Sequence, residues 1–226
     1  MKLSVIVPAY NEQKTIAVIL KQLLKQKEIT EIIVVDDCSK DQTRREVLGV
    51  KDKRIRLLTH KKNRGKGAAI RTGLAAVTGD HVLIQDADLE YSPADIPVMV
   101  EPIKQERSTV VFGSRFLGPH SNMFFWHMIG NKLLNLLVNI LFDAIVSDME
   151  TCYKLVPTKL LREIKLQEND FRIEPEITCK LLRRKVKVME VPISYMARTY
   201  AEGKKIGWKD WFRAVGTIIK VRLASS

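Results

Sequence analysis

Cysteine is scarce in this 226-residue chain: Cys38, Cys152 and Cys179 stand far apart, with no CxxC pair and no clustering with the four histidines. That pattern excludes a disulfide scaffold and a structural zinc site, and it favours a reducing compartment. Long apolar runs are missing too. No window reaches the ~20 uninterrupted apolar residues of a membrane-spanning helix, and the run from Leu3 to Pro8 is too short for a signal peptide. The expectation is therefore a cytoplasmic chain that does not cross a bilayer. Neither the P-loop spacing nor the dinucleotide fingerprint occurs, and there is no serine or histidine triad signature, internal repeat or low-complexity linker.

Acids are the minority charge. Lys and Arg number 38 against 26 Asp and Glu, a net +12, while 46% hydrophobic and 28% charged residues are ordinary for a globular chain. The imbalance is local: residues 180–222 hold twelve bases and three acids. A basic stretch of that density calls for a polyanion, whether nucleic acid, an anionic membrane surface or a phosphorylated substrate.

The first half alternates short apolar runs with segments of helical period. Strands are expected over Leu3 to Val7, Glu31 to Asp36, Ile55 to Thr59, His81 to Gln85 and Thr109 to Phe112, with helices between them, one opened by Pro93. Repeated units of this kind imply an α/β fold with a doubly wound, mostly parallel sheet, whose ligands sit at the carboxyl ends of the strands. The polar punctuation falls at those ends: Tyr10-Asn11-Glu12, Asp36-Asp37-Cys38-Ser39, Asp86-Ala87-Asp88 and Gly113-Ser114-Arg115. Four strand ends so marked suggest one composite site.

The second half differs. Asn122 to Asp143 is apolar apart from Asn131, Asn135, Asn139 and Asp143, spaced by four and so on one helical face, which reads as a core helix or as one lying on a membrane. Helix is expected over Arg172 to Arg184, strand over Val186 to Met196, and a basic amphipathic helix with Trp208 and Trp211 over Gly207 to Arg222, the tryptophans suiting either core or interface.

Two carboxylates on alternate positions of the turn Asp86-Ala87-Asp88 can meet one hard cation, Mg²⁺ or Mn²⁺, that keeps sites open for diphosphate oxygens; a solvated turn with a helix cap is the plainer possibility. Asp36-Asp37 suits a base or ribose, or a turn. Asn63-Arg64-Gly65-Lys66-Gly67 opens a helix with backbone N–H groups that suit an anion, or is simply a glycine-permitted loop.

Together with Ser4-Val5-Ile6-Val7-Pro8-Ala9-Tyr10-Asn11-Glu12, these segments resemble the family 2 glycosyltransferases of the GT-A fold over nearly the whole chain, and within them the dolichol- or polyprenyl-phosphate sugar synthases. The resemblance implies one domain, with residues 1–115 binding a nucleotide sugar and 116–226 forming an acceptor-side helical appendage. It sets Pro8, Tyr10, Glu12, Val35 and Asp37 around the nucleotide, Asp86 and Ala87 at ribose and diphosphate, and Asp86, Asp88 and Glu90 on the metal, Glu90 standing where relatives often have glutamine. Asp88 and Arg115 carry catalysis, and Arg115, Arg198 and Lys204 match bases that contact donor and acceptor phosphates. Cys38 replaces a usual glycine, and residues 148–154 resemble the acceptor-side segment.

The expected reaction moves a sugar from a GDP-mannose or UDP-glucose type donor to a polyprenyl phosphate at the cytoplasmic membrane face, with inversion and no catalytic base, because a phosphate monoester is already ionised at neutral pH. A sugar-hydroxyl acceptor would instead need a base, for which Asp148, Glu150 and Glu174 are candidates. A non-enzymatic nucleic-acid or membrane binder would leave the strand-end acids without a purpose, so nucleic acid is not expected as a partner.

Overall fold

The structure, a computed structural model, describes residues 1–121, 124–197 and 208–224. The five apolar runs form β1 (Leu3–Ala9), β2 (Ile29–Asp36), β3 (Ile55–Thr59), β4 (His81–Ile84) and β5 (Val110–Ser114). β1 is buried at every position and β2 at all but one, as strands without polar alternation must be when helices cover both faces of a sheet. Between them run α1 (Ile16–Leu24), α2 (Thr43–Gly49), α3 (Lys66–Ala76) and α4 (Ile96–Lys104); before α4, Pro93–Asp95 form a 3-10 turn capped by the Ser92 hydroxyl.

The rest of the described chain forms β6 (His120–Ser121), α5 (Phe125–Phe142), β7 (Lys154–Pro157), α6 (Thr158–Glu163), α7 (Ile173–Arg183), β8 (Val188–Pro192), β9 (Tyr195–Met196) and α8 (Trp208–Leu223). Seven strands make one sheet in the order β3-β2-β1-β4-β7-β5-β8. All its pairs are parallel except those of β7, which is antiparallel to β4 and β5. The single strand expected over 186–196 is two. Pro192 has no amide hydrogen and ends edge strand β8, after which Tyr195 and Met196 pair with β6 in a separate ribbon.

Apolar residues of α1 and α4 cover one face of the sheet, and those of α3, α6 and α7 cover the other. A third cluster joins α5, α7 and α8 through Leu134, Val138, Cys179, Leu182, Ala214, Ile218 and Val221. α8 thus spends its main apolar face inside the molecule, and Trp211 donates its indole N–H to the Gly130 carbonyl at 2.9 Å. The side chain of Trp208 lies outside the described residues.

The asparagine stripe of α5 faces inward and does a specific job. Asn139 exchanges two hydrogen bonds with the backbone of Val146, at 3.1 and 2.9 Å. Asn135 donates to the Ser147 carbonyl and accepts from the Met149 N–H at 2.9 Å. A side-chain amide offers both donor and acceptor, so two turns of helix hold the irregular segment 144–149 through its backbone groups. The opposite stripe faces out: Trp126 is 77% and Ile140 69% exposed, with Leu133 and Leu136 between them. Lys132 and, on α8, Lys209, Arg213 and Lys220 are exposed as well.

Candidate active site

β1 lies between β2 and β4, so the connections leave it in opposite directions and a crevice opens beyond the strand tips. A cavity of about 880 Å³ occupies it. Pro8, Tyr10 and Glu12 beyond β1, Asp37 beyond β2, Lys66 at the start of α3, Asp86, Ala87, Asp88 and Glu90 beyond β4, and Arg115 beyond β5 all line it, joined by Glu150, Glu174 and Tyr195 from the second half. Val35 does not: its side chain is buried on the α3 side of the sheet with Ala69 and Ile70. Arg198, Lys204 and Lys205 lie outside the described residues.

The Asp37 carboxylate is spent on its own scaffold. It accepts the N–H of Arg64 at 2.9 Å and of Gly65 at 2.7 Å, and Nδ1 of His60 lies 2.6 Å away, with the Thr72 hydroxyl 2.9 Å from the other ring nitrogen. The acid thereby anchors the 63–67 loop, and His60 braces it between Asp37 and Thr72. Gly65 has φ +90°, and a Cβ there would collide with the Asn169 carbonyl. Cys38 adopts φ +65°, the left-handed conformation that glycine adopts most readily.

Lys66 reaches the cavity floor. Its ammonium lies 2.7 Å from Asp86 and 3.1 Å from Glu174. Burial alone would lower its pKa, but the two carboxylates outweigh that and hold it well above the ordinary lysine value. Glu174 also meets Lys154, fully buried at the start of β7, at 2.9 Å. The sequence pattern pointed only to backbone N–H groups of the 63–67 loop as an anion site and did not reveal this chain of alternating charges through Lys66 and Lys154. A lysine leading the buried run Leu155-Val156 was the available signal, since lysine is almost never fully buried without a partner.

Arg115 forms a two-pronged pair with Asp148, both bonds 2.7 Å, and its own N–H donates to the same carboxylate at 2.9 Å. Desolvation opposes the charge, and Asp148 overrides it, so the guanidinium pKa stays raised. The guanidinium sits 5.1 Å over the Tyr195 ring. The Tyr195 hydroxyl donates to Glu90 at 2.8 Å, and the Met196 N–H donates to the Glu90 carbonyl. Glu90 is thus drawn toward β9, while an Asp88 oxygen accepts the Glu90 N–H at 3.1 Å.

Among the described residues no three His, Cys, Asp or Glu side chains gather into a group that could hold a metal. Asp86 and Asp88 nevertheless offer hard carboxylate oxygens on one cavity wall. Mg²⁺ and Mn²⁺ take one or two carboxylates and complete their shells with water and phosphate oxygens, so this pair fits such an ion.

The sheet order and the strand-tip cavity are those of a GT-A glycosyltransferase. The model of Glycosyl transferase family 2 matches residues 4–165, and the chain belongs to that family. It is 29% identical to a dolichol-phosphate mannosyltransferase of Pyrococcus furiosus, over 92% of this chain and 60% of that protein. It is 30% identical to a dolichyl-phosphate beta-glucosyltransferase of Trichomonas vaginalis, over 85% of this chain and 65% of that one. This chain therefore spans under two thirds of the length of both. The fold matches the crystal structure of glucosyl-3-phosphoglycerate synthase from Mycobacterium tuberculosis in complex with Mn²⁺, UDP and phosphoglyceric acid. The TM-score is 0.76 at 18% identity, over 100% of this chain and 80% of the other. Among the described residues, no helix is long and apolar enough to cross a membrane.

Proposed function

We propose that this chain transfers a sugar from a nucleotide-sugar donor to a polyprenyl or dolichyl phosphate, with inversion, as a peripheral protein at the cytoplasmic membrane face. One observation carries the proposal: the cavity is polar at the strand tips and apolar at the far wall, where Trp126, Ile129, Leu133 and Phe212 line it. That wall continues into the exposed stripe of α5. An acceptor with a charged head and a hydrocarbon tail suits both ends at once, whereas a free sugar acceptor leaves the apolar wall unused. The relatives' names support the same acceptor class.

Residues 1–115 then hold the donor and 116–226 the acceptor. Pro8, Tyr10 and Glu12 flank the nucleotide, with Val35 packed behind them, and Asp37 shapes the 63–67 loop. Asp86 and Ala87 meet ribose and diphosphate. Asp88, with Asp86, would hold Mg²⁺ or Mn²⁺, which when bound neutralises charge on the leaving diphosphate, whereas Glu90 is turned away to the Tyr195 hydroxyl. Arg115, fixed by Asp148, presents its remaining N–H groups to phosphate oxygens as charge develops in the transition state, and Arg198 and Lys204 add charge for the same oxygens. The acceptor phosphate attacks the anomeric carbon directly, needing no base because its oxygen is ionised.

The test is a panel of UDP- and GDP-sugars carrying a radiolabelled sugar, offered with a short polyprenyl phosphate or with sugar acceptors. Label in the lipid extract is the expected result. Label on a sugar hydroxyl would favour a base-assisted reaction, for which the geometry leaves one carboxyl: Asp148 is held by Arg115 and Glu174 by two lysines, while Glu150 lines the cavity.

A further inference from the structure

We propose that Glu150 is a specificity-determining residue of this cavity: in its protonated form it admits a phosphate-bearing occupant and presents its O–H to a phosphate oxygen. The proposal rests on the phosphate-bearing donor and acceptor inferred above.

Glu150 belongs to the segment that α5 holds in place, and its open surface faces the cavity. The charges that act on it come from four places: Lys154 on β7, Glu174 on α7, Arg115 beyond β5 and Asp148 on its own segment. Both cations are already committed. Arg115 gives Nε and Nη2 to Asp148, and Lys154 gives its ammonium to Glu174 and the Thr151 carbonyl. Lys66, the next cation, is shared by Asp86 and Glu174. Among the described residues, these three cations thus face four carboxyl groups, Asp86, Asp148, Glu150 and Glu174. Among the described residues none donates a hydrogen bond to the Glu150 carboxyl or pairs with it, so the surplus falls there.

A carboxyl without a counter-charge in an enclosed site retains its proton. Burial pushes Glu150 up to about 7, with Lys154 and Arg115 opposing and Glu174 and Asp148 adding to the rise. Ionised, it would repel an incoming diphosphate or phosphate monoester; protonated, it is the one acid on this wall able to donate. An anion beside it raises its proton affinity further, so binding takes up a proton and weakens as pH rises above about 7.

Isothermal titration of the full chain with UDP, GDP and geranyl phosphate in Mg²⁺, from about pH 6 to 8.5, tests this. Wild type should lose up to about tenfold in affinity per pH unit above about 7, with proton uptake read from buffers of different ionisation enthalpy. Glu150→Gln should remove that slope, and the ligand's own ionisation, common to both proteins, cancels in the comparison. Identical profiles in the two proteins overturn the proposal and leave the function standing. No proton uptake by wild type beyond that of the ligand's own ionisation overturns it without need of a variant. Failure of wild type to bind all three ligands at every pH overturns the function as well.

Discussion

The two walls of the cavity are built on opposite principles. At the strand tips nearly every charged group is tied to another: Asp37 to backbone N–H groups, Lys66 between two carboxylates, Arg115 to Asp148. Across the cavity, α5 and α8 present aromatic and aliphatic side chains, and α5 carries that surface outward to solvent. Tying the charges in advance means that they need little reorganisation when charge develops on a substrate, which is where electrostatic catalysis gains most. A helix wall with exposed apolar groups gains nothing in water and is useful only when something apolar covers it. Under the function proposed above, the first wall serves accuracy at a reacting phosphate, and the second serves retention of a hydrocarbon chain.

The comparison is most severely strained at Lys154. Lys154→Ala leaves a buried carboxylate with Lys66 alone and should cost about 3–5 kcal/mol in urea unfolding; a loss below about 1 kcal/mol would mean that the strand-tip wall does not depend on paired charge. Asp88→Asn should lower Mg²⁺- or Mn²⁺-supported turnover by at least about 10²-fold with an unchanged circular dichroism spectrum, and full activity in that variant would remove Asp88 from the reaction. Glu150 carries a raised pKa in the folded state, so the folded chain binds more protons than the unfolded one between 4.5 and about 7. Stability therefore falls as pH rises through that window, by a few kcal/mol at most, and Glu150→Gln should flatten the fall. On the apolar wall, Leu136→Ser with Ile140→Ser should weaken binding to anionic vesicles about tenfold while leaving nucleotide affinity as it was, since neither residue lines the cavity.

The strand-tip wall was largely legible in the sequence because its strands are apolar throughout and its polar residues fall at the strand ends. Both signals are local. β7 and α6 were not, since a four-residue strand led by Lys154 carries neither alternation nor a clean apolar run. The use of Asp37 was hidden for a different reason: a carboxylate that caps a loop and one that grips a ribose look alike until the loop's N–H groups are placed. Asp148, Glu150 and Glu174 were equal candidates for a base, and only the positions of Arg115, Lys66 and Lys154 separate them. The asparagine stripe of α5 gave the helix and its period but not its orientation, because its partners are backbone groups of residues 146, 147 and 149.

That inverted helix has a consequence for the chain in bulk water. With its amides turned in and Leu133, Leu136 and Ile140 turned out, α5 makes each molecule sticky toward the next, and the net charge of +12 is what holds molecules apart. Added salt screens that repulsion over a Debye length of about 8 Å at physiological strength and about 3 Å at 1 M, yet leaves apolar attraction intact. Dilute solutions of the chain should therefore clear as ionic strength falls and cloud as it rises.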